Sequence, residues 1–480
     1  MRKHRYVALS SVIAVLFSSI ALFALAIFTA SFLYRAFHNT NSFDLINVEK
    51  NVLNYITIVC VFLFFVFLMI LLVRQIERLN YSKTIEVTLE YVDEFGNKVQ
   101  ETVQLDLPDD KSKLKKDSAD RFQRLTILDK KYPKKELVNS TEDLTLEYIC
   151  RRFRSFASRI AGNPLYYSID DIRRFVTSLG VSKILILQGM SGTGKTSLPV
   201  AWGKFTRVPT TVVPVQPMWK ERSDLIGYFN EFTGKFNESL ILEKLYEANK
   251  TNRMYLIVLD EMNIARVEYY FAEFLSLLEL PTVEERILEV TSSISKKDPK
   301  ELHNGKLILP DNVYFIGTAN NDDSTFAISD KVYDRSMVLN LDYRCDPFIG
   351  EDDYEPITLS DYTFKSLIEK AKKEYALTKR SRSHIREIDK YITETFSITF
   401  GNRIRRQMEN YVPIYIACGG TEEEAIDDIL AKKVLRKLES QNPIYIKAKA
   451  DDLINKLNEI FGRGKMPVSE NTIRKLANNG

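Results

Sequence analysis

Residues 189–197 read GMSGTGKTS and fit G-x-x-x-x-G-K-T, a set of residue types that can grip a polyphosphate. Gly189, Gly192 and Gly194 let the backbone curl so that its N–H groups point inward, with Ser191, Thr193 and Ser197 in the same stretch. Lys195 can reach the β and γ phosphates of a nucleoside triphosphate, and the Thr196 hydroxyl can hold Mg²⁺. Sixty-five residues after Lys195, MYLIVLDEMN ends an apolar run in two carboxylates. Asp260 would anchor Mg²⁺ through water, and Glu261 would orient or deprotonate an attacking water. A further run, NVYFIGTAN, ends at Asn320, whose amide could position that water. Downstream, DKVYDRS carries Arg335, the candidate for a positive charge that reaches the γ-phosphate of a neighbouring subunit.

This chemistry needs a strand, a tight loop and a helix in that order, and KILILQGMSGTGKTSLPVAW supplies them. Ile184–Leu187 is the apolar strand, and the helix after the loop brings its positive end to the same spot. MYLIVL and NVYFI are expected as further buried strands whose carboxyl ends lie beside the loop, where ligands of open α/β sheets bind. Upstream, residues 141–160 and 168–179 have helical patterns, with Thr141 and Ser168 as N-caps. Residues 82–107 alternate apolar and polar types on both sides of EFGN, where Gly96 and Asn97 tolerate positive φ, so a β-hairpin is expected. From Lys111 to Lys135 there are ten basic and three acidic residues. A solvated linker is the preferred reading of that stretch, with a patch for anionic lipid or nucleic acid as the alternative.

The N-terminus has a different character. Val7–Tyr34 is a run of 28 uncharged residues and Asn51–Val73 a run of 23. At about 1.5 Å rise per residue each could cross roughly 30 Å of hydrocarbon as a helix. Arg2, Lys3 and Arg5 precede the first run and Arg74, Arg78 and Lys83 follow the second, whereas the loop between has two basic and two acidic residues. That asymmetry predicts a membrane hairpin with both ends, and the body of the chain, in the cytoplasm.

The 480 residues carry 67 basic and 64 acidic side chains, a net charge of +3 that excludes a global signal for nucleic acid or for an acidic partner. Four dispersed cysteines, Cys60, Cys150, Cys345 and Cys418, lack metal-ligand spacing and argue against a disulfide framework or a zinc site.

The order of glycine loop, LDEMN, GTAN and YDRS resembles the AAA+ ATPases, and more narrowly the McrB-type branch, the nucleotide-driven subunits of modification-dependent restriction systems. A G-T-x-N-x-x-D signature followed by D and R lies over Gly317, Thr318, Asn320, Asp323, Asp330 and Arg335. The sequence departs from that pattern at Ser324 and Asp334, where the family usually has arginine. The resemblance implies an α/β P-loop core with a parallel sheet and a C-terminal helical lid. The resemblance covers about Tyr167 to Leu341 and weakens in the helical remainder; together with the residue patterns above, it divides the chain into a transmembrane hairpin (1–78), a small β-rich module with a basic linker (79–140), the nucleotide-binding core (141–345) and the lid (346–480). It also implies Mg²⁺ and ATP, with GTP as the open alternative, and a homo-oligomeric ring, a hexamer by analogy.

In the resembling lid, Arg403 or Arg405 could sense nucleotide in cis, or the segment is an ordinary surface helix with three basic residues. In VQPMWKERSDLIGYFNEFTGKF, the aromatic residues Trp219, Tyr228, Phe229 and Phe236 could line a pore or pack a core. No nuclease motif stands out, so an antiphage or restriction-like role would need a separately encoded effector. A MoxR-like chaperone that assembles membrane complexes and a low-turnover nucleotide-gated scaffold are the competing readings.

Overall fold

In the computed structural model, the described residues are 86–92, 98–104 and 121–478, without 139, 141–142, 296, 321–324, 343–344 and 351–352. The chain divides into two compact units, 1–117 and 118–480. In the first, β1 (Glu86–Val92) and β2 (Lys98–Gln104) pair antiparallel, with Glu86 opposite Gln104 and Val92 opposite Lys98. The alternation predicts this pairing; the EFGN turn and the two uncharged runs at 7–34 and 51–73 lie outside the described residues. Among the described residues no helix is long and apolar enough to cross a membrane.

The second unit is built on a five-stranded, all-parallel sheet in the order β11-β3-β10-β7-β4. It starts with helices α1 (Gln123–Lys131), α2 (Leu146–Ser158) and α3 (Ile169–Val181), followed by β3 (Ile184–Gln188), α4 (Ser197–Thr206) and β4 (Thr210–Pro214). A short helix α5 (Arg222–Ile226) leads into the hairpin β5 (Gly227–Asn230) and β6 (Lys235–Glu238), then α6 (Leu240–Asn249) and β7 (Tyr255–Asp260). Two short helices, α7 (Val267–Tyr270) and α8 (Ala272–Leu277), and the hairpin β8 (Ile287–Glu289) and β9 (Lys306–Ile308) precede β10 (Val313–Ala319). Helix α9 (Asp330–Tyr333) and β11 (Met337–Asn340) close the sheet. The remainder is helical: α10 (Asp361–Glu374), α11 (Lys379–Phe396), α12 (Asn402–Ala417), α13 (Glu422–Lys433), α14 (Pro443–Phe461) and α15 (Pro467–Asn478).

The central strands are apolar throughout because both faces of the sheet are covered. Successive side chains of a strand point to opposite faces, and the two cores divide accordingly. Leu185, Leu187, Leu256, Val258, Tyr314 and Ile316 face the core built by α2, α3, α4 and the C-terminal helices. Ile184, Ile186, Tyr255, Ile257, Leu259, Val313 and Phe315 face the opposite core, with α1, α6, α7 and α8. The described part of the basic stretch therefore carries packing residues: Phe122, Leu125 and Leu128 are buried, and Phe122 stacks on Phe236 at 4.9 Å. Ser168 caps α3 as expected, accepting from the Asp171 N–H, and Thr145 caps α2, accepting from the Tyr148 N–H, whereas the expected cap Thr141 lies outside the described residues.

The C-terminal helices are fastened to the turn between α9 and β11. Lys433 of α13 is 2% exposed and donates to the carbonyls of Tyr333 (2.7 Å) and Ser336. Desolvation, with smaller contributions from Arg436, Lys437 and Arg403, outweighs Asp334 and brings its ammonium down to about 7 from an ordinary 10.5. Between those values the unfolded chain binds a proton that the folded chain has shed, so stability rises with pH across that window and the group costs most below about pH 7. The slope from this one residue approaches about 1.4 kcal/mol per pH unit. Denaturant titrations at pH 7 and pH 9 are expected to show a rise in the parent that Lys433→Met loses; equal slopes would show that Lys433 does not titrate in this range.

Candidate functional site

The glycine loop leaves the carboxyl end of β3 and enters α4, with β10 and β11 on either side of β3. Gly192 and Gly194 have φ of 77° and 89°, a left-handed conformation that side chains rarely adopt, so the curl of the loop depends on glycine here. The Tyr167 hydroxyl donates to the Gly194 carbonyl at 3.0 Å and steadies the turn from the side of α3. Lys195 is 6% exposed, its ammonium folded back inside the loop onto the carbonyls of Gly189 (2.9 Å) and Met190 (2.7 Å). The Thr193 hydroxyl also donates to Met190, at 3.0 Å. Ser191 precedes Gly192 in the same loop, and Ser197 opens α4.

Three strands deliver the remaining groups to this edge. The Thr196 hydroxyl donates to Asp260 Oδ1 at 2.6 Å, which brings the end of β7 to the start of α4. The Thr318 hydroxyl donates to the same oxygen at 2.8 Å and accepts from the Glu261 N–H at 2.8 Å. Glu261 itself is held at φ 52°, ψ 48°, a left-handed backbone that costs a non-glycine residue about 1 kcal/mol and turns its exposed side chain away from the strand line. The Asn320 amide lies 3.5 Å from Glu261 Oε1. Asn263 locks the arrangement by donating to the carbonyls of Asn320 (2.8 Å) and Phe326 (3.3 Å) while accepting from the Asn320 N–H.

The hydroxyl of Thr196 and the carboxylate of Asp260 form an all-oxygen pair that suits Mg²⁺, which takes few protein ligands and completes its shell with water and phosphate oxygens. Among the described residues there is no cluster of three or more His, Cys, Asp or Glu side chains that could hold a metal unaided.

Thr318 and Asn263 have no assigned role in the sequence reading, although each belongs to a motif quoted there. A hydroxyl in an otherwise apolar buried strand needs a partner, and that is the signal through which Thr318 could have been found. Gly317 is bound to the same network: a Cβ there would stand 1.9 Å from the Met262 sulfur, next to Glu261. Gly317→Ala is expected to cost about 1–3 kcal/mol by overpacking and to lower turnover by shifting Glu261. Thermal melting and a steady-state assay check both; an unchanged melting temperature would mean that Met262 has room to move.

Arg335 is not part of this cluster. It stands just before β11, where Ser182, two residues before β3, donates to its carbonyl at 3.3 Å, so it lies at the end of the sheet opposite the glycine loop. Its Nε donates to Glu279 at 2.8 Å. Arg403 pairs with the other oxygen of Glu279 at 2.7 Å, and Arg405 pairs with Asp389 at 2.7 Å within the helical region. Arg403 is thus joined through Glu279 to Arg335, at the end of the sheet opposite the loop, and Arg405 to α11; neither contact involves the glycine loop. Among the aromatic candidates, Trp219 and Phe236 are buried, Trp219 against Tyr270 at 5.5 Å, while Tyr228 and Phe229 are exposed on β5 and Phe232 is fully exposed at the hairpin turn.

Parts of the chain are similar to known proteins. Residues 184–336 match the family described as AAA domain (dynein-related subfamily), and residues 356–480 match a domain of unknown function (DUF8727). Over 183 residues the chain is 25% identical to the type IV methyl-directed restriction enzyme EcoKMcrB subunit of Escherichia coli (strain K12), covering 37% of this chain and 39% of that one. The chain thus spans well under half the length of that relative. A crystal structure from Cytophaga hutchinsonii, provisionally described as an ATPase, superposes with a TM-score of 0.41 at 14% identity, covering 64% of this chain and 92% of that chain. The glycine loop, the acidic pair and four of the five strands of the parallel sheet lie within residues 184–336, the segment that matches the AAA domain model.

Proposed function

We propose that this chain is a ring-forming nucleoside triphosphatase that hydrolyses ATP, with GTP as the alternative base, to drive work on a partner protein. The observation that carries the reading is the shared hydrogen-bond network of Thr196, Asp260, Thr318 and Glu261, because it gathers metal ligands and a water-activating carboxylate around one phosphate loop. In this reading Lys195 turns from the loop carbonyls to the β and γ phosphates, and Thr196 and Asp260 hold Mg²⁺, which would neutralise phosphate charge when bound. Glu261 takes the proton of the attacking water, while Asn320 fixes the position of Glu261 and of the water.

Among the described residues the sheet brings no arginine to the glycine loop, and Arg335, held on Glu279, lies at its far end, where only a neighbour's phosphate could come to it; this is the basis for a ring. Six subunits and a role in antiphage or restriction-like defence, with a separately encoded effector, rest on the relationship to the restriction subunit. Attachment to the inner membrane rests on the two uncharged runs and their flanking charges. Phosphate release by the purified full chain, measured with ATP and with GTP in the presence and absence of Mg²⁺, tests the reading. No turnover with either nucleotide, or a rate that Lys195→Ala leaves unchanged, would overturn it.

A further inference from the structure

We propose that the outward face of α1, with the residues that follow it, is a basic surface that lies on the anionic headgroups of a lipid bilayer. The inference rests on the membrane attachment given above, which brings the bilayer near. Forty-seven residues, 74–120, join the second uncharged run to Arg121, so a membrane that held that run would stay within chain reach of α1.

Helix α1 sorts its charges by side. Phe122, Leu125 and Leu128 are buried, and Asp129 turns inward to accept from the Tyr246 hydroxyl at 2.7 Å and to pair with Lys250 at 2.8 Å. Glu238 accepts from the first N–H groups of the helix, those of Gln123, Arg124 and Leu125, at 3.0, 2.9 and 2.9 Å. Gln123, Arg124, Ile127, Lys130 and Lys131 are exposed, and at about 3.6 residues per turn they share roughly a third of the helix circumference. Pro133, Lys134, Lys135 and Leu137 continue the exposed run beyond the helix. The two acids of the same segment, Asp129 and Glu136, are engaged by Lys250 and Arg253. From neighbouring α6, Glu243 meets Arg124 at 3.5 Å and Glu247 meets Lys131 at 3.3 Å. Among the described residues no ion pair holds Lys130, Lys134 or Lys135, so the surplus positive charge of this face is these three lysines.

The company these lysines keep fits lipid. Ile127 and Leu137 stand among them, 61% and 71% exposed, and aliphatic side chains gain by entering the boundary between headgroups and acyl chains. A lysine is a point charge on a long apolar stem, so its ammonium can meet phosphate while the stem lies against hydrocarbon. Nucleic acid is the poorer match, because none of residues 123–137 is an exposed aromatic on which a base could stack. Tyr132 is half-buried, its hydroxyl on Glu247 at 2.9 Å. Where the helix ends, Lys131, Lys134 and Arg253 line an open groove of about 770 Å³, wide enough to admit a headgroup. Its acids are already taken, Glu136 by Arg253 and Glu247 by Lys131 and Lys244, which leaves Lys134 to meet the phosphate.

The experiment uses the full chain carrying Ile127→Trp as a reporter on the outward face, with and without Lys130→Glu, Lys134→Glu and Lys135→Glu together; thermal melting establishes that each variant folds. Each is mixed with vesicles of phosphatidylcholine alone or with phosphatidylserine added, both containing brominated lipid, and followed by fluorescence quenching and by flotation. Quenching is expected only in the anionic vesicles and is expected to vanish in high salt, which screens exposed charge. The triple variant is expected to lower the bound-to-free ratio of the face by at least about 100-fold, since each cation near an anionic surface contributes about fivefold. Flotation with both vesicle types but equal quenching in both, or quenching that the triple variant keeps, overturns the basic face and leaves the anchor standing. Flotation with anionic vesicles alone, lost in the triple variant, supports the face and removes the anchor. Flotation with neither removes both. Binding of an RNA or DNA oligonucleotide that needs the three lysines, with no quenching by either vesicle, assigns the face to nucleic acid and overturns the proposal.

Discussion

Glu261→Gln is expected to retain nucleotide and to lose about 100-fold to 1000-fold in turnover, the range of a positioned general base. Glutamine preserves the length of the side chain and can still meet the Asn320 amide, which lies 3.5 Å from Oε1. It also leaves the backbone undisturbed, since the Glu261 N–H bonds to the Thr318 hydroxyl whatever the side chain. What it removes is the negative charge and the proton acceptor. Asp260→Asn would be a poorer test, because Asp260 accepts from both Thr196 and Thr318, and its loss would disturb the metal ligands and the position of Glu261 together. Single-turnover kinetics with bound nucleotide separates the outcomes. A variant that hydrolyses at the parental rate would show that Glu261 does not take the proton, and one that no longer binds nucleotide would show that its role is structural.

The core of this site was legible because its residues obey local rules. A phosphate loop must follow a strand and open a helix, and β3, the glycine curl and α4 fall where GMSGTGKTS predicts them. The acidic pair ends an all-apolar strand, and β7 is buried along that whole run, with Asp260 at its end. Groups that depend on distant contacts were not legible. Arg403 and Arg405 are two residues apart on one basic helix, and only tertiary packing commits the first to Glu279 and the second to Asp389. Trp219 and Tyr228 lie in one aromatic-rich segment, yet the first packs on Tyr270 and the second sits exposed on a two-stranded hairpin. Lys433 reads as one more surface lysine of EEEAIDDILAKK, and its burial under the turn before β11 follows from where α13 docks.

Arg335→Ala is expected to lower kcat about 1000-fold with nucleotide affinity unchanged, the loss seen when a transferring phosphoryl group is deprived of its arginine. The physical reason is the length of β3. The Arg335 carbonyl is bonded to Ser182, two residues before that strand, and the glycine loop begins after the strand's five residues, which alone span about 17 Å at 3.3 Å per residue. An arginine cannot span that separation within its own chain, particularly with its Nε on Glu279 and a terminal nitrogen on the Lys331 carbonyl at 3.0 Å. If it acts on phosphate, it acts on a neighbour, and the specific activity of the parent must then rise with protein concentration as subunits associate. Arg335→Lys is expected to recover little, because an ammonium is a point charge without the planar fork that meets two oxygens at once. Specific activity that is independent of concentration, or an Arg335→Ala chain that binds nucleotide more weakly when dilute, would place the arginine's influence inside its own subunit and remove the reason for a ring.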